Sequence, residues 1–145
     1  MADARKLKIL FLCTGNSCRS QMAEGWAKHL KSSCIEAFSA GVIPVGVSTK
    51  AIEVMAEAGV DISRHRSKHV DELLGNEFDY VITVCDYAKE LCPIFGGDVK
   101  MFHRSFEDPS FTTGTTEQVL AEFRRCRDEI KAFVQTLPES LGENQ

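Results

Sequence analysis

The sequence predicts an α/β fold in which a parallel sheet is covered on both faces by helices. Three observations carry that expectation. Short apolar or β-branched runs alternate with segments of helical period along the chain. The first run is apolar almost throughout, as befits a strand buried on both faces. It then leads through a Gly-containing turn directly into an amphipathic stretch.

The elements follow in order. Leu7–Leu12 (LKILFL) reads as a central strand. Met22, Ala23, Trp26, Ala27 and Leu30 recur at helical spacing, so a helix is expected from about Cys18 to Lys31. Ile35–Ser39 reads as a second strand, closed by Ala40-Gly41. Ser48 or Thr49 is placed to cap a helix through about Ala58, which Gly59 stops. Ser67 is expected to cap another short helix through Leu74. Phe78–Val84 (FDYVITV) is a third strand, followed by a helical turn ending at Pro93 and a weaker strand over Asp98–Phe102. From Glu117, the set Val119, Leu120, Phe123, Ile130, Phe133, Val134 and Leu137 describes a long amphipathic helix. Residues 1–145 are expected to form one domain, with about 139–145 a polar, flexible tail.

Composition narrows the function classes. With 43% hydrophobic and 26% charged residues, the balance is that of an ordinary globular domain. A net charge of -4 gives no general reason to bind nucleic acid, so any anion site has to be built locally. No apolar run approaches the roughly 18 residues of a membrane helix, and the first run is too short for a signal-peptide core. A cytoplasmic protein is expected from that reading; a monomer is expected too, though no sequence feature decides the oligomeric state. Six cysteines in a reducing compartment then suggest catalytic, redox or metal roles, with buried inert thiols as the plain alternative. The four histidines show no metal-ligand spacing, and no metal site is expected.

The first chemical constellation is Cys13-Thr14-Gly15-Asn16-Ser17-Cys18-Arg19-Ser20, between a strand and a helix. A loop of small residues in this place can turn successive backbone N–H groups inward as a nest for a tetrahedral oxyanion. The helix N-terminus adds its positive dipole end, and Arg19 a planar fork for two oxygens. The same field is expected to lower the pKa of Cys13 from about 8.5 and populate its thiolate. Ser20 is placed to donate to that sulfur, and Asn16 to pin the loop. A bare Cys-x5-Arg recurs by chance, and the alternative is a half-buried Cys in an ordinary strand-to-helix turn. The placement between an apolar strand and an amphipathic helix argues for the anion loop.

The second constellation is Cys85 and Cys92, directly after the third strand. Seven residues of helix rise roughly 10.5 Å. A disulfide needs Cα atoms about 4.4–6.8 Å apart, so this pair could bond only if the segment unwound. Two half-buried thiols, a zinc site and a redox pair all remain open on spacing alone. Asp108, in Phe106-Glu107-Asp108-Pro109, falls at the same sheet edge, where Asp-Pro is equally a common turn opener.

The loop, with Gln21-Met22-Ala23-Glu24-Gly25-Trp26, resembles the start of thioredoxin-coupled arsenate reductases, relatives of the low-molecular-weight protein tyrosine phosphatases. The likeness runs on through Ser39-Ala40-Gly41, Asp61-Ile62-Ser63, Val84-Cys85-Asp86 and Asp108-Pro109. It implies a three-layer sandwich with a four-stranded parallel sheet flanked by helices. It implies Cys13 as nucleophile, Arg19 and the loop from Thr14 to Ser20 as the arsenate site, and Asp108 as general acid. It further implies a transient Cys13–Cys85 disulfide resolved to Cys85–Cys92, no bound cofactor, and thioredoxin as external reductant. Asn16, Glu24 and Ser39 match positions where some relatives hold a structural potassium ion together with an Asp. Lys68 stands at that Asp's place, and its ammonium is expected to replace the cation and pair with Glu24. A low-molecular-weight phosphotyrosine phosphatase is the nearest rival, since phosphate and arsenate share charge and shape. Against it stand the Cys85–Cys92 pair and Ser110, which separates Asp108-Pro109 from the aromatic Phe111. A non-catalytic redox sensor is a more distant rival.

Overall fold

A computed structural model describes residues 6–86 and 98–142. The Cys92 site and the helical turn expected before Pro93 lie outside the described residues. Strand β1 (Leu7–Cys13) leads into α1 (Arg19–Leu30), β2 (Ile35–Gly41) and α2 (Thr49–Glu57). After a 3-10 turn over Val70–Leu73 come β3 (Tyr80–Thr83) and β4 (Lys100–His103). A second 3-10 turn, Pro109–Phe111, precedes the long α3 (Thr116–Gln135) and a short terminal α4 (Glu139–Gly142).

The four strands form one parallel sheet in the order β2-β1-β3-β4, flanked by helices as expected. Strand β1 is central, and Ile9 to Leu12 are fully buried, which is why this run lacks the polar alternation of a half-exposed strand. The chain returns to either side of β1, so the sheet has its switch in strand order at the carboxyl end that delivers Cys13. Helix α1 packs on β1, β2 and α3, and α2 packs on α3. Trp26, Phe11, Phe123 and Ile130 are among the largest side chains closed inside that core.

Local chemistry sets the boundaries. Ser48 caps α2 by accepting from the Ala51 N–H at 3.2 Å, and Gly59 takes φ +87° just after its end. Helix α3 opens with a reciprocal capping box between Thr115 and Gln118. Two expectations are corrected. Ser67 caps nothing: its hydroxyl donates to the Asn16 carbonyl, and the turn at Val70–Leu73 is capped instead by His69 Nδ1, which accepts from the Asp71 N–H at 3.0 Å. The neighbouring Lys68 backbone is engaged at both edges, its N–H by Asn16 Oδ1 and its C=O by the Gly41 N–H, which holds this stretch extended. Nor is the chain frayed directly after Pro138, because Leu141 inserts into the core at 1% exposure and anchors α4. Among the described residues no helix is long and apolar enough to cross a membrane.

Candidate active site

The loop from Cys13 to Ser20 owes its shape to where its carbonyls go. The N–H groups of Val42, Ile43, Val45 and Ser48 take the carbonyls of Cys13, Thr14, Gly15 and Ser17 at 2.8–3.2 Å. The Asn16 carbonyl accepts from Gln21 Nε2 and Ser67, and that of Cys18 from the Met22 N–H. Every carbonyl from Cys13 to Cys18 is thus drawn to a protein donor. Because a trans peptide sets each N–H opposite the preceding C=O, the loop's N–H edges turn the other way. Amide edges gathered in this way can form a nest for an oxyanion. The concavity is lined by Cys13, Thr14, Gly15, Cys18, Arg19 and Asp108, among others.

Asn16 makes this loop possible. Its φ of +48° is a left-handed conformation that Asn tolerates better than most side chains. Fully buried, its amide donates to Ser20 Oγ at 2.8 Å and Ser39 Oγ at 3.0 Å. Its Oδ1 accepts from Gln21 Nε2 and the Lys68 N–H, each at 3.0 Å. Since Ser20 Oγ accepts from Asn16, its own proton is free to reach the Cys13 sulfur 2.8 Å away. His65 lies at the far end of this network, with Nδ1 2.8 Å from Gln21 Oε1, and burial pulls its pKa down. No spacing signal in the sequence links His65 to the loop.

The Cys13 thiol itself departs from expectation. Burial pushes it above the ordinary thiol range, and the nearby Cys85 sulfur adds to that. Ser20, by side chain and backbone, and the Arg19 charge pull it down without overcoming the burial. The expected lowering of the Cys13 pKa is therefore corrected: with the sulfur 2% exposed, burial outweighs its helpers and shifts the balance toward the protonated form.

Arg19 and Asp108 hold each other. Arg19 Nη2 donates to Asp108 Oδ2 at 3.1 Å, and Nη1 to the Phe106 carbonyl at 3.0 Å. The other Asp108 oxygen accepts from the Ser110 N–H at 2.9 Å and caps the 3-10 turn. Asp108 thus serves the turn with one oxygen and faces the loop's arginine with the other. Cys85, 4% exposed, comes to the same place, its Sγ 3.1 Å from the Thr14 hydroxyl. A wider cleft continues from it past Asp86, Phe106 and Glu107. Its rim carries Ile43 at 50% exposure and Phe111 at 83%, an apolar border that sequence reading missed although Val-Ile-Pro-Val is conspicuous between two turns.

Behind the loop, Ser39 donates to the buried Glu24, continuing the chain from Asn16. Lys68 Nζ donates to the Ser39 carbonyl at 2.9 Å. The expected Lys68–Glu24 ion pair is corrected: Glu24 pairs with Lys28, one helical turn on, at 2.6 Å. Burial lowers the Lys68 pKa while Glu24 raises it, so the ammonium still feels that carboxylate. With the Lys68 ammonium on a backbone oxygen beside Ser39 and Glu24, these residues do not fit a bound potassium ion.

The family described as low molecular weight phosphotyrosine protein phosphatase matches residues 8–145. The chain belongs to that family. Within it, the arsenate reductase of Halalkalibacterium halodurans is 43% identical over 135 residues, covering 93% of this chain and 97% of its own. A solved arsenate reductase in its oxidized state superposes with TM-score 0.75 at 33% identity, over 90% of this chain and 95% of that one. The phosphatase branch of the family is as near in shape. The low molecular weight protein tyrosine phosphatase of T. tengcongensis gives TM-score 0.74 at 28% identity, over 93% and 99% of the two chains. The thioredoxin-dependent arsenate reductase of Corynebacterium glutamicum gives 0.70 at 25% identity, over 99% of this chain and 66% of its own.

Proposed function

We propose that this chain is an arsenate reductase that turns arsenate into arsenite and passes the oxidation, as a disulfide, to thioredoxin. The observation that carries reduction over hydrolysis is a second thiol at the mouth of the anion loop. Cys85 is held with its Sγ 3.1 Å from the hydroxyl of Thr14, the residue next to Cys13. Hydrolysis of a phosphate ester has no use for it. The arsenate reductase of Halalkalibacterium halodurans, 43% identical, supports the substrate, and the Corynebacterium glutamicum enzyme supports the reductant.

In this reading the loop amides and Arg19 hold three arsenate oxygens, and Cys13 gives its proton, by way of the bound oxyanion, to the Asp108 carboxylate, while the Ser20 hydroxyl steadies the sulfur left charged. Its thiolate attacks arsenic, and Asp108 gives the departing hydroxide a proton so that water leaves. The Cys85 thiolate then attacks the Cys13 sulfur. An S–S bond forms, the S–As bond breaks, its electron pair stays on arsenic, and arsenite departs. Cys92 next attacks the Cys85 sulfur and returns Cys13 as thiolate, leaving Cys85–Cys92 for the thioredoxin dithiol to reduce. Lys68, on the Ser39 carbonyl, does the structural work of a cation behind the loop.

Arsenite production with thioredoxin, thioredoxin reductase and NADPH tests the scheme. Cys13→Ser, Cys85→Ser and Cys92→Ser each lose multiple turnover, while Cys92→Ser still completes about one turnover, stopping at the mixed Cys13–Cys85 bridge. A Cys85→Ser variant that still made arsenite at the normal rate would overturn the disulfide scheme, and a wild type that made no arsenite but hydrolysed an aryl phosphate, with or without Cys85, would leave the phosphatase reading.

A further inference from the structure

A row of polar side chains next to Cys85 lies at the end of the sheet. Thr83 and His103 are direct partners across β3 and β4. The Thr83 hydroxyl lies 2.6 Å from His103 Nδ1, and His103 Nε2 lies 2.8 Å from Asp86 Oδ1. Thr83 is 2% exposed and the His103 side chain 25%, whereas Asp86 stands 81% exposed. Asp86 directly follows Cys85 and lines the same cleft.

The chemistry of this row runs in one direction. A carboxylate only accepts, so His103 Nε2 carries the proton it donates to Asp86. In the neutral ring Nδ1 then accepts, and the buried Thr83 hydroxyl is the donor that fixes that tautomer. Thr83 therefore orients His103, and His103 holds Asp86. The cleft needs such a device. Glu107 and Asp108 already line it with Asp86, and Arg19, the one arginine among its described lining residues, is engaged by Asp108. A carboxylate left to swing toward the neighbouring sulfur opposes thiolate formation there.

We propose that His103 is a positioning residue which parks the Asp86 carboxylate away from Cys85, so that the Cys85 thiol can ionise and act as a nucleophile. Its consequence for turnover rests on the reductase reading. Its effect on Cys85 does not, and the test reads Cys85 directly, in the absence of arsenate.

Intact protein is pulsed with iodoacetamide at neutral pH, and Cys85 and Cys13 are quantified separately by peptide mass mapping. In His103→Phe, Cys85 alkylation slows about three- to five-fold, the size of one partly exposed charge interaction, while Cys13 holds its rate. Adding Asp86→Asn to that variant restores Cys85 to within about two-fold of wild type, since no charge is left to park. Loosening of the fold would speed Cys85 alkylation, so the sign separates positioning from damage. Should His103→Phe fail to fold, Thr83→Val, which leaves the ring but frees its tautomer, is expected to slow Cys85 in the same direction. Unchanged Cys85 rates in the folded variant, or a double variant as slow as the single, overturn the proposal. Wild-type protein that makes no arsenite, with the alkylation pattern intact, would instead remove the reductase reading and leave the positioning role standing.

Discussion

Ser20 is the group on which Cys13 depends for its charge. Burial works against the thiolate, and Ser20 opposes burial by both its hydroxyl and its backbone. Ser20→Ala deletes a hydrogen bond to an ionised group, and roughly ten-fold slower alkylation of Cys13 at pH 7 is expected, with the inflection of its pH profile moved further up. A profile unchanged by the substitution would remove Ser20 from this role. Lys68 supplies a second expectation at this scale. Steady-state arsenite production should differ by less than about two-fold between potassium and sodium at equal ionic strength, because the Ser39 carbonyl already has its cation. A several-fold stimulation by potassium would contradict it. The anion loop was legible in the sequence because its residue types admit few other uses in that place. The Lys28–Glu24 pair was legible too, as charges four apart on a helix, but was passed over. The Cys13 titration was not legible, because the depth of burial around one sulfur is a property of the whole packing. His103 was not legible either, since only strand register brings it to Thr83.

At the level of elements, the loop is a product of two strand ends meeting. Gly41, the last residue of β2, sits so close to the loop that an added Cβ would lie 2.7 Å from the Thr14 carbonyl oxygen and 2.8 Å from the Asn16 nitrogen. Both are backbone atoms, so Gly41→Ala has to displace the loop itself. A shift near an ångström is enough to cost catalysis about 10²-fold, and kcat/KM for arsenate should fall by roughly ten- to a hundred-fold while the fold persists by circular dichroism. Activity within two-fold of wild type would mean the loop is not held by this contact. Sequence periodicity recovered the strands and the three long helices, because burial on one or both faces writes itself into the pattern. It misplaced the start of the turn at Val70–Leu73 because Ser67 looks like a cap. The hydroxyl is claimed by Asn16, some fifty residues earlier, and no local pattern encodes that.

For the molecule as a whole, buried thiols tie stability to pH. Cys18 is pushed well above the ordinary thiol range, first by its hydrogen bond with Cys126 and then by burial, and Cys13 is raised by burial. In the unfolded chain both release their protons near about 8.5. Above that point the unfolded state binds fewer protons than the native one, so stability falls as pH rises and is full below it. The urea midpoint should drop between pH 8 and 10, and the drop should be shallower in Cys18→Ala than in wild type. Parallel curves for the two proteins would show that Cys18 keeps its ordinary titration. The overall architecture followed from alternation of strand and helix, and the parallel order β2-β1-β3-β4 put the first strand's end at the sheet's switch point.

The sealed state of Cys13 has a bearing on how long the catalyst lasts. Peroxide and adventitious electrophiles consume thiolates, and a sulfur at 2% exposure, whose burial disfavours the charged form, offers them little. A cell that meets oxidants but no arsenic would therefore keep its stock of this protein unspent, ready on the day the poison arrives.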